Sequence, residues 1–234
     1  MIGNKMKNFA FIFARGGSKG LPGKNIKPLA GKPLLQYSID TAAASPSIDL
    51  VFVSTDDRDI ARVAVESGAI LIERPKELAT DTSPEWLSWR HAIEWAEEHY
   101  GKFDGFVSLP ATSPLRGVED VEAAIRKRNQ VDADICISVT PASRSPFFNM
   151  VRETKDGFVE LVNKPESDVT RRQDAPEVFD ITTVVYATTP NFVLNHYGLF
   201  AGKVTSVEVP KVRAVDIDDI YDFRMAEAIL QDIE

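Results

Sequence analysis

Cysteine, long apolar runs and an excess of basic residues are all scarce or absent in this sequence. Among its 234 residues there is 1 cysteine, Cys136, which excludes an intrachain disulfide and a multi-cysteine metal site and fits a reducing compartment. No apolar run approaches the ~18 residues that a membrane span requires. The first residues also lack the apolar stretch of a signal peptide, so we expect a cytoplasmic protein that is not embedded in a membrane.

The net charge argues against two further classes of protein. A net charge of -8 argues against general binding to nucleic acid or to anionic membrane surfaces. It also makes any local cluster of cations more informative. The length is sufficient for one substantial hydrophobic core, and we expect a single domain over residues 6–234 with a small insert inside it.

Apolar patterns typical of strands and helices alternate along most of the chain. They predict strands at residues 9–13, 50–53, 69–72, 105–109, 135–139, 183–187 and 204–209 and helices at 33–44, 57–67, 85–99, 118–128 and 219–233. Such alternation implies parallel pairing and predicts an α/β fold with a doubly wound, mostly parallel sheet. Residues 141–180 break the rhythm with prolines and charges, which predicts an insert of loops and short hairpins. The core is expected to include Cys136 and the tryptophans Trp86, Trp89 and Trp95.

A glycine-rich, cationic loop follows the first predicted strand in the stretch "FIFARGGSKGLPGKN" (residues 11–25). Its glycines and cations are Gly16, Gly17, Gly20, Gly23, Arg15, Lys19 and Lys24. Glycines let backbone N–H groups approach a phosphate, and doubly wound sheets bind ligands at the carboxyl ends of their strands. The spacing matches neither the Walker A pattern nor the dinucleotide-binding fingerprint. The loop therefore predicts a phosphate site of another kind, with a solvated turn as the alternative.

A second candidate site is the acidic segment "VDIDD" (residues 215–219). On an extended backbone, Asp216 and Asp218 would project to the same side because successive side chains alternate. Two hard oxygen ligands beside phosphate oxygens suit Mg²⁺, which binds few protein carboxylates and keeps its waters. The alternative is an acidic N-cap for the last helix, to which Asp218 and Asp219 are well suited. Asp222 is expected on the surface of that helix.

Together these segments resemble the signature motifs of the acylneuraminate cytidylyltransferases, the CMP-sugar synthetases that activate nine-carbon acidic sugars. The resemblance covers most of the chain in the family's order. Its motifs are "ARGGSKGLPGKN" (14–25), "VSTDD" (53–57), "RPKELATDTS" (74–83), "TSPLR" (112–116), "RRQ" (171–173) and "VDIDD". The resemblance implies a Rossmann-like fold and a homodimer formed in part by residues 141–180. It also implies that the anomeric hydroxyl of a sugar acid attacks the α-phosphate of CTP and that pyrophosphate leaves.

The resemblance also implies the site residues, and it favours Mg²⁺ as the cofactor, held by Asp216 and Asp218. Those two aspartates, with Arg15 and Lys24, would be the catalytic residues, because the reaction mainly needs positioning and charge neutralisation. The nucleotide-binding residues would be Ala14, Arg15, Gly16, Gly17, Ser18, Lys24, Asn25, Arg74 and Ser83. The sugar-binding residues would be Thr112, Ser113, Arg172 and Gln173. For Thr112 and Ser113 the alternative role is to cap the helix that follows.

The resemblance implies that Arg74 and the small residues after the Asp-Thr pair of "RPKELATDTS" contact the nucleobase. This sequence departs from the family there, because Pro84 and Glu85 replace two serines. An ionised carboxylate only accepts hydrogen bonds. If Glu85 faced the nucleobase, it could accept from both N1–H and the N2 amino group of guanine, whereas cytosine offers only its N4 amino group. That arrangement would favour GTP over CTP. Glu85 also follows a proline at the start of a helix, where the helix dipole alone favours an acid, so CTP is the expected nucleotide.

The sugar side departs from the family as well. Residues 110–111 replace a Gln-Pro pair, and Asp180 lies where sialic-acid enzymes often have an arginine that binds the sugar carboxylate. A carboxylate cannot take that role, although Arg171, Arg172 or Lys164 could. We therefore expect a related nonulosonic acid, such as legionaminic or pseudaminic acid. The alternatives are GTP or an eight-carbon Kdo-like acid in the same reaction, or a nucleotide-binding module without catalysis.

Overall fold

The computed structural model describes residues 6–164, 169 and 171–233. The strands are β1 (Asn8–Phe13), β2 (Pro28–Leu29), β3 (Lys32–Pro33), β4 (Leu50–Thr55), β5 (Ile70–Glu73), β6 (Gly105–Ser108), β7 (Ile135–Pro141), β8 (Val151–Glu153), β9 (Val159–Leu161), β10 (Phe179–Thr188) and β11 (Val204–Glu208). The α-helices are α1 (Leu34–Ala44), α2 (Arg58–Glu66), α3 (Glu85–Tyr100), α4 (Val118–Gln130), α5 (Pro190–Asn195) and α6 (Ile220–Ile233). None of the helices within the described ranges is both long and apolar enough to span a membrane.

One seven-stranded sheet has the spatial order β11-β7-β10-β6-β1-β4-β5. Its neighbouring strands are parallel except around β10, which runs antiparallel to both β6 and β7. The prediction of a doubly wound, mostly parallel α/β sheet is confirmed. Because β1 lies between β4 and β6, the chain winds outwards from β1 in both directions. The carboxyl ends of β1 and β6 therefore border the crevice where such folds bind ligands.

The central strand β1 sends alternate side chains to the two faces of the sheet, as a strand covered on both faces must. Ala10 and Ile12 pack in the core cluster that includes α1 and α4. Phe9 and Phe11 pack in an aromatic cluster beneath α3. The three tryptophans of α3 pack against that same cluster, and Cys136 is fully buried. Both core assignments from the sequence are therefore confirmed.

Strand β10 differs most from its predicted extent. It begins at Phe179, whereas the apolar pattern predicts a strand over residues 183–187. Its first residues are exposed, and its register against β7 shifts between Thr182 and Tyr186. A bulged strand with an exposed start does not show the continuous apolar run of a buried parallel strand.

The segment 141–180 lies between the sheet strands β7 and β10. It contains the antiparallel hairpin β8–β9, which confirms the predicted short hairpin. The ends of β7 and β10 reach into the segment, so the loops of the insert occupy less of it than predicted. Residues 165–168 and 170 lie outside the described residues.

Candidate active site

A groove at the carboxyl ends of β1, β5 and β6 brings most of the predicted site residues together. One part of it is a cavity of about 370 Å³ whose lining includes Arg15, Arg74, Ser83, Thr112, Asp216 and Asp218. A neighbouring cavity of about 460 Å³ follows the glycine-rich loop, and its lining includes Arg15, Ser18, Lys24, Asn25, Thr112 and Asp218. Because the two cavities share Phe13, Arg15, Thr112 and Asp218, they form one continuous groove.

The remaining predicted residues lie outside this lining, namely Ala14, Gly16, Gly17, Ser113, Arg172 and Gln173. Ala14 is buried in the core, and its backbone N–H donates to the Ser54 carbonyl oxygen at 3.1 Å. Gly17 is exposed. Their contacts with a nucleotide stay predictions.

The motif "VSTDD" fastens the glycine-rich loop to the end of β4. Asp56 Oδ1 accepts a hydrogen bond from the backbone N–H of Gly16 at 3.1 Å. Asp57 caps α2, and a Cβ at Gly16 would lie only 2.8 Å from Asp57 Oδ2. Glycine therefore lets the loop pass close to this cap without displacing the Asp57 side chain.

Two cations of the loop bind one carboxylate at the edge of the groove. Arg15 Nη1 lies 2.8 Å from Asp81 Oδ1, and Lys19 Nζ lies 2.5 Å from Asp81 Oδ2. Hydrogen bonding to Lys19 contributes most to holding the pKa of Asp81 below its usual range. Asn25 Nδ2 donates to the Arg15 carbonyl oxygen at 3.1 Å and so stabilises the backbone of the loop at Arg15. The two cations are thus arranged around a single anionic group, as a phosphate site requires.

Lys24 joins the loop to the acidic segment. Its Nζ donates to the Ile217 carbonyl oxygen at 2.6 Å and lies 3.1 Å from Asp218 Oδ1. A Cβ at Gly20 would collide with the Asp218 carbonyl oxygen, so glycine is required at this close approach. The loop and the acidic segment therefore form one unit, although 193 positions separate Lys24 from Ile217.

The acidic segment has the alternation that its sequence predicts. Ile217 is buried and donates its backbone N–H to the Thr112 carbonyl oxygen at 2.8 Å. Asp216 and Asp218, on either side of it, both line the groove. The two carboxylates are thereby placed beside Lys24 and the loop.

The capping role belongs to other aspartates. Asp219 Oδ1 accepts from the backbone N–H groups of Tyr221 and Asp222 at 2.7 and 3.1 Å, and so it caps α6. Asp222 Oδ2 accepts from the N–H groups of Asp218 and Asp219, both at 3.0 Å. Asp222 lies half-exposed on the first turn of α6, as expected, and its carboxylate also completes the cap. The Asp218 carboxylate takes no part in this cap.

The chemistry of Asp216 and Asp218 fits a magnesium ion. Asp216 Oδ1 is buried and has no hydrogen-bond partner among the described residues. Burial is the main cause that raises the pKa of Asp216, and the Asp218 charge adds to it against hydrogen bonds from Thr112 and Thr183. No cluster of three or more ligating side chains occurs within the described ranges. Two carboxylates are sufficient for Mg²⁺, because this ion completes its shell with phosphate oxygens and water.

Arg74 and Ser83 lie on the wall of the groove next to β5. Arg74 is 8% exposed and donates from Nε and Nη2 to the Ser54 hydroxyl and carbonyl oxygens, at 3.1 and 2.7 Å. Burial lowers the pKa of Arg74 to about 10. Ser83 Oγ is buried and makes no hydrogen bond to any described residue. The predicted nucleobase residues therefore lie together, with hydrogen-bonding capacity still unused.

Glu85 lies on this same wall at the start of α3. Its Oε1 accepts from the Trp89 indole N–H at 3.2 Å. The side chain is exposed to the groove, yet the surrounding protein raises the pKa of its carboxyl by desolvation, against the lowering effects of Trp89 and Arg74. Glu85 thus both opens a helix and faces the ligand groove.

Thr112 and Ser113 have different environments. Thr112 lines the groove, whereas Ser113 is fully buried with its Oγ 2.6 Å from Thr183 Oγ1. The capping alternative is wrong for both, because α4 begins after Gly117 and Asp120 accepts the Gly117 N–H at 2.8 Å.

Arg172 and Gln173 line a separate depression near the ends of β7 and β10. Arg172 Nη2 donates to the Ala142 carbonyl oxygen at 3.0 Å. The structure does not bring these two side chains to Thr112 within the described chain. Their role in sugar binding stays a prediction.

Comparison with known proteins agrees with this geometry. A sequence profile described as Cytidylyltransferase matches residues 9–200. The chain belongs to the cytidylyltransferase family. It is therefore a nucleotidyltransferase, and the resemblance inferred from its motifs is confirmed.

Curated relatives of this cytidylyltransferase include several CMP-sugar enzymes. The CMP-N,N'-diacetyllegionaminic acid synthase of Campylobacter jejuni is 31% identical over 94% of this chain and 93% of its own length. The pseudaminic acid cytidylyltransferase of the same species is 30% identical over 96% of each chain. The N-acylneuraminate cytidylyltransferase of Streptococcus agalactiae is 28% identical over 93% of this chain, but the match spans 52% of that longer protein.

Solved structures share the fold of this cytidylyltransferase at low identity. CMP:2-keto-3-deoxy-manno-octonic acid synthetase complexed with CTP has a TM-score of 0.72 and 17% identity, covering 97% of this chain and 100% of the other. The 4-diphosphocytidyl-2C-methyl-D-erythritol synthase of Anaerococcus prevotii has a TM-score of 0.61 and 14% identity, covering 96% and 99%. The Rossmann-like fold is thereby confirmed.

Two groove residues of this cytidylyltransferase escape detection from the sequence. Thr183 and Tyr186 both line the groove although they are three positions apart on β10. Strict alternation would place them on opposite faces, but the register shift in this stretch turns both to the same side. Burial raises the pKa of Tyr186 to about 12, with further contributions from Glu85 and Asp216.

The arginine of "TSPLR" proves to be structural. Arg116 is buried and donates to the carbonyl oxygen of Val184 at 2.7 Å. It also donates to the Ser38 hydroxyl and the Pro110 carbonyl oxygen, and burial lowers its pKa to about 9. Arg116 thus ties the loop after β6 to β10. The arginine of this motif therefore stabilises the walls of the groove and is not itself a ligand contact.

Proposed function

We propose that this protein transfers CMP from CTP to the anomeric hydroxyl of a nine-carbon acidic sugar and releases pyrophosphate. The proposal rests on the direct contact between the cationic loop and the acidic pair: Lys24 Nζ lies 3.1 Å from Asp218 Oδ1. Nucleotidyl transfer needs cations for the triphosphate and a hard-metal site next to it.

Arg15 and Lys24 have complementary tasks in this reaction. The planar guanidinium of Arg15 suits bidentate contact with phosphate oxygens, and Lys24 acts as a compact point charge at the α-phosphate. Lys24 is largely shielded by the loop and the acidic segment, with 13% of its side chain exposed. A cation in so dry a place stabilises developing charge more strongly than one in open solvent.

Asp216 and Asp218 would hold Mg²⁺, which when bound supplies charge neutralisation at the phosphates. Thr112 and Thr183 line the same cavity as Asp216, and hydrogen bonding from their hydroxyls favours its ionised form, which is the form that binds a metal ion. The remaining buried oxygen, Oδ1, is unpartnered among the described residues and is the ligand atom that such an ion requires.

The sugar acid is proposed to be of the legionaminic or pseudaminic type. Two relatives of about the same length carry those names, at 31% and 30% identity. Asp180 supports this choice, because it replaces the arginine with which sialic-acid enzymes often bind the sugar carboxylate. The likeness to the eight-carbon acid synthetase is one of fold, since its identity is 17%.

We place the enzyme in the cytoplasm, as a homodimer formed through residues 141–180. Among the described residues, the hairpin in this segment and the residue before it expose several apolar side chains. The exposed fractions are 74% for Phe158, 66% for Val159, 58% for Val151 and 41% for Met150. Phe147 and Phe148 are half-buried beside them. An exposed apolar patch of this kind is typical of an interface.

Pyrophosphate release tests the proposed substrates. The wild-type protein is incubated with Mg²⁺, each of the four common nucleoside triphosphates and a panel of sugar acids: legionaminic, pseudaminic, N-acetylneuraminic and Kdo. We expect release with CTP and a legionaminic-type or pseudaminic-type acid. Turnover with GTP, or with Kdo alone, would replace the substrate assignment, and nucleotide binding without any turnover would favour a non-catalytic module.

A further inference from the structure

The wall formed by Arg74, Ser83 and Glu85 is not needed for phosphate or metal chemistry. Arg15 and Lys24 mark the phosphate end of the groove. The three wall residues line the cavity next to β5 and do not line the one that follows the loop. A nucleotide whose phosphates lie in the loop therefore directs its base into this first cavity, toward either the β5 wall or the opposite β6–β10 wall.

The opposite wall turns its hydroxyl groups toward other parts of the protein. Thr183 Oγ1 lies 2.6 Å from the buried Ser113 Oγ, and hydrogen bonding by Thr112 and Thr183 works against the burial that raises the pKa of Asp216, the proposed metal ligand. The β5 wall, by contrast, retains hydrogen-bonding groups that have no partner among the described residues. We therefore place the base on the β5 wall and leave the β6–β10 wall to the sugar acid.

The unused groups on the β5 wall are both donors and acceptors. Arg74 uses Nε and Nη2 on Ser54, so its Nη1 keeps its donors. Ser83 Oγ is buried without a partner in the described chain. Glu85 Oε1 is engaged by the Trp89 indole N–H at 3.2 Å, which leaves Oε2 as one acceptor facing the groove. The wall thus offers a guanidinium, a hydroxyl and a single carboxylate oxygen.

We propose that Glu85 selects cytosine by accepting a hydrogen bond from its N4 amino group. The inference rests on the proposed function and names the residue that chooses the nucleotide. Cytosine presents two acceptors, O2 and N3, beside one donor, N4, which matches Arg74, Ser83 and Glu85 in kind. Uracil presents O4 where cytosine has N4, so an acceptor of the base would face the carboxylate oxygen of Glu85, which is also an acceptor.

The bond to Trp89 also disfavours guanine. A carboxylate that recognises guanine accepts from N1–H and the N2 amino group with both oxygens. The Trp89 N–H occupies a lone pair of Oε1 and fixes the orientation of the carboxylate, so among the described residues Oε2 is the oxygen without a partner and the better acceptor for the base. The same side chain that suggested GTP from the sequence therefore favours CTP in the folded protein.

Nucleotide binding without a sugar acid tests this inference. Isothermal titration in Mg²⁺ gives the Kd of CTP, UTP and GTP for the wild type, Glu85→Gln and Glu85→Ala. In Glu85→Gln the amide oxygen can still accept the Trp89 N–H, so the amide NH₂ faces the base. That NH₂ is a donor, and it would face the N4 amino group of cytosine, which is also a donor. We expect the preference for CTP over UTP to fall by about tenfold or more in Glu85→Gln, with UTP binding improved.

Two further variants control for indirect effects. Glu85→Ala should weaken the preference for CTP without improving UTP binding. Glu77→Gln changes an exposed glutamate of the same stretch that does not line the groove, and it should leave all three affinities unchanged. Thermal unfolding midpoints show that each variant is folded.

The outcomes separate this inference from the proposed function. A CTP-to-UTP ratio that is unchanged in both Glu85 variants, while the wild type binds CTP, overturns the role of Glu85 and leaves the proposed function intact. A wild-type preference for GTP also overturns it. A wild-type protein that binds none of the three nucleotides contradicts the proposed function itself, and the inference falls with it.

Discussion

Arg116 allows a prediction whose magnitude follows from its contacts. Its guanidinium donates to the carbonyl oxygens of Val184, Thr183 and Pro110 and to the Ser38 hydroxyl. In Arg116→Lys the charge remains, but a single ammonium cannot reproduce the planar fork. At least two buried carbonyls then lose their donor, and each unsatisfied group costs about 1–3 kcal/mol.

We therefore expect Arg116→Lys to lower the free energy of unfolding by about 2–6 kcal/mol. For a chain of this size each kcal/mol lowers the Tm by about 2–4 °C, so the expected fall is about 4–24 °C. Urea denaturation and thermal melts followed by circular dichroism measure both quantities. Arg126→Lys, at an exposed position of α4, is the matched control and should stay within about 0.5 kcal/mol of wild type. If the two variants are equally stable, Arg116 does not hold the groove together.

Other predictions concern catalysis and assembly. Lys24→Ala should lower kcat by about 10²–10³-fold with an unchanged circular dichroism spectrum, and a near-normal kcat would remove Lys24 from the α-phosphate. Asp216→Asn and Asp218→Asn should each lower activity and raise the Mg²⁺ concentration needed for half-maximal rate; equal midpoints in all three proteins would show that neither aspartate binds the ion. Light scattering at micromolar concentration should give a dimer mass for the wild type and for Val65→Asp, whose site lies on α2, but a monomer mass for Phe158→Asp in the hairpin. A wild-type monomer would contradict the interface.

The central sheet could be predicted because its parallel strands are buried on both faces. Such strands appear in the sequence as short apolar runs, and helices between them have a different period. The extent of β10 could not be predicted because this strand lacks that pattern of burial. It is antiparallel, its first residues are exposed, and its register shifts between Thr182 and Tyr186, so its side chains follow no single period.

The site could be predicted in its parts but not in its assembly. A glycine-rich cationic loop after β1 and alternating aspartates on an extended segment are local patterns, and both lie where expected. Contacts across the chain are not local, such as those of Lys24 with Ile217 and of Arg15 with Asp81. A motif also does not reveal which members touch a ligand, because Ser113 and Arg116 belong to "TSPLR" but are buried in structural hydrogen bonds.

The most direct test of nucleotidyl transfer at this groove is to follow the reaction by ³¹P NMR. CTP, Mg²⁺ and the preferred sugar acid are mixed with the wild-type protein, with Lys24→Ala as the control. Attack on the α-phosphate predicts that inorganic pyrophosphate and a CMP phosphodiester appear in equal amounts in the wild-type sample only. A CDP-linked product with inorganic phosphate would mean attack elsewhere on the triphosphate, and free CMP without a sugar ester would mean hydrolysis. Either result would contradict the proposed reaction.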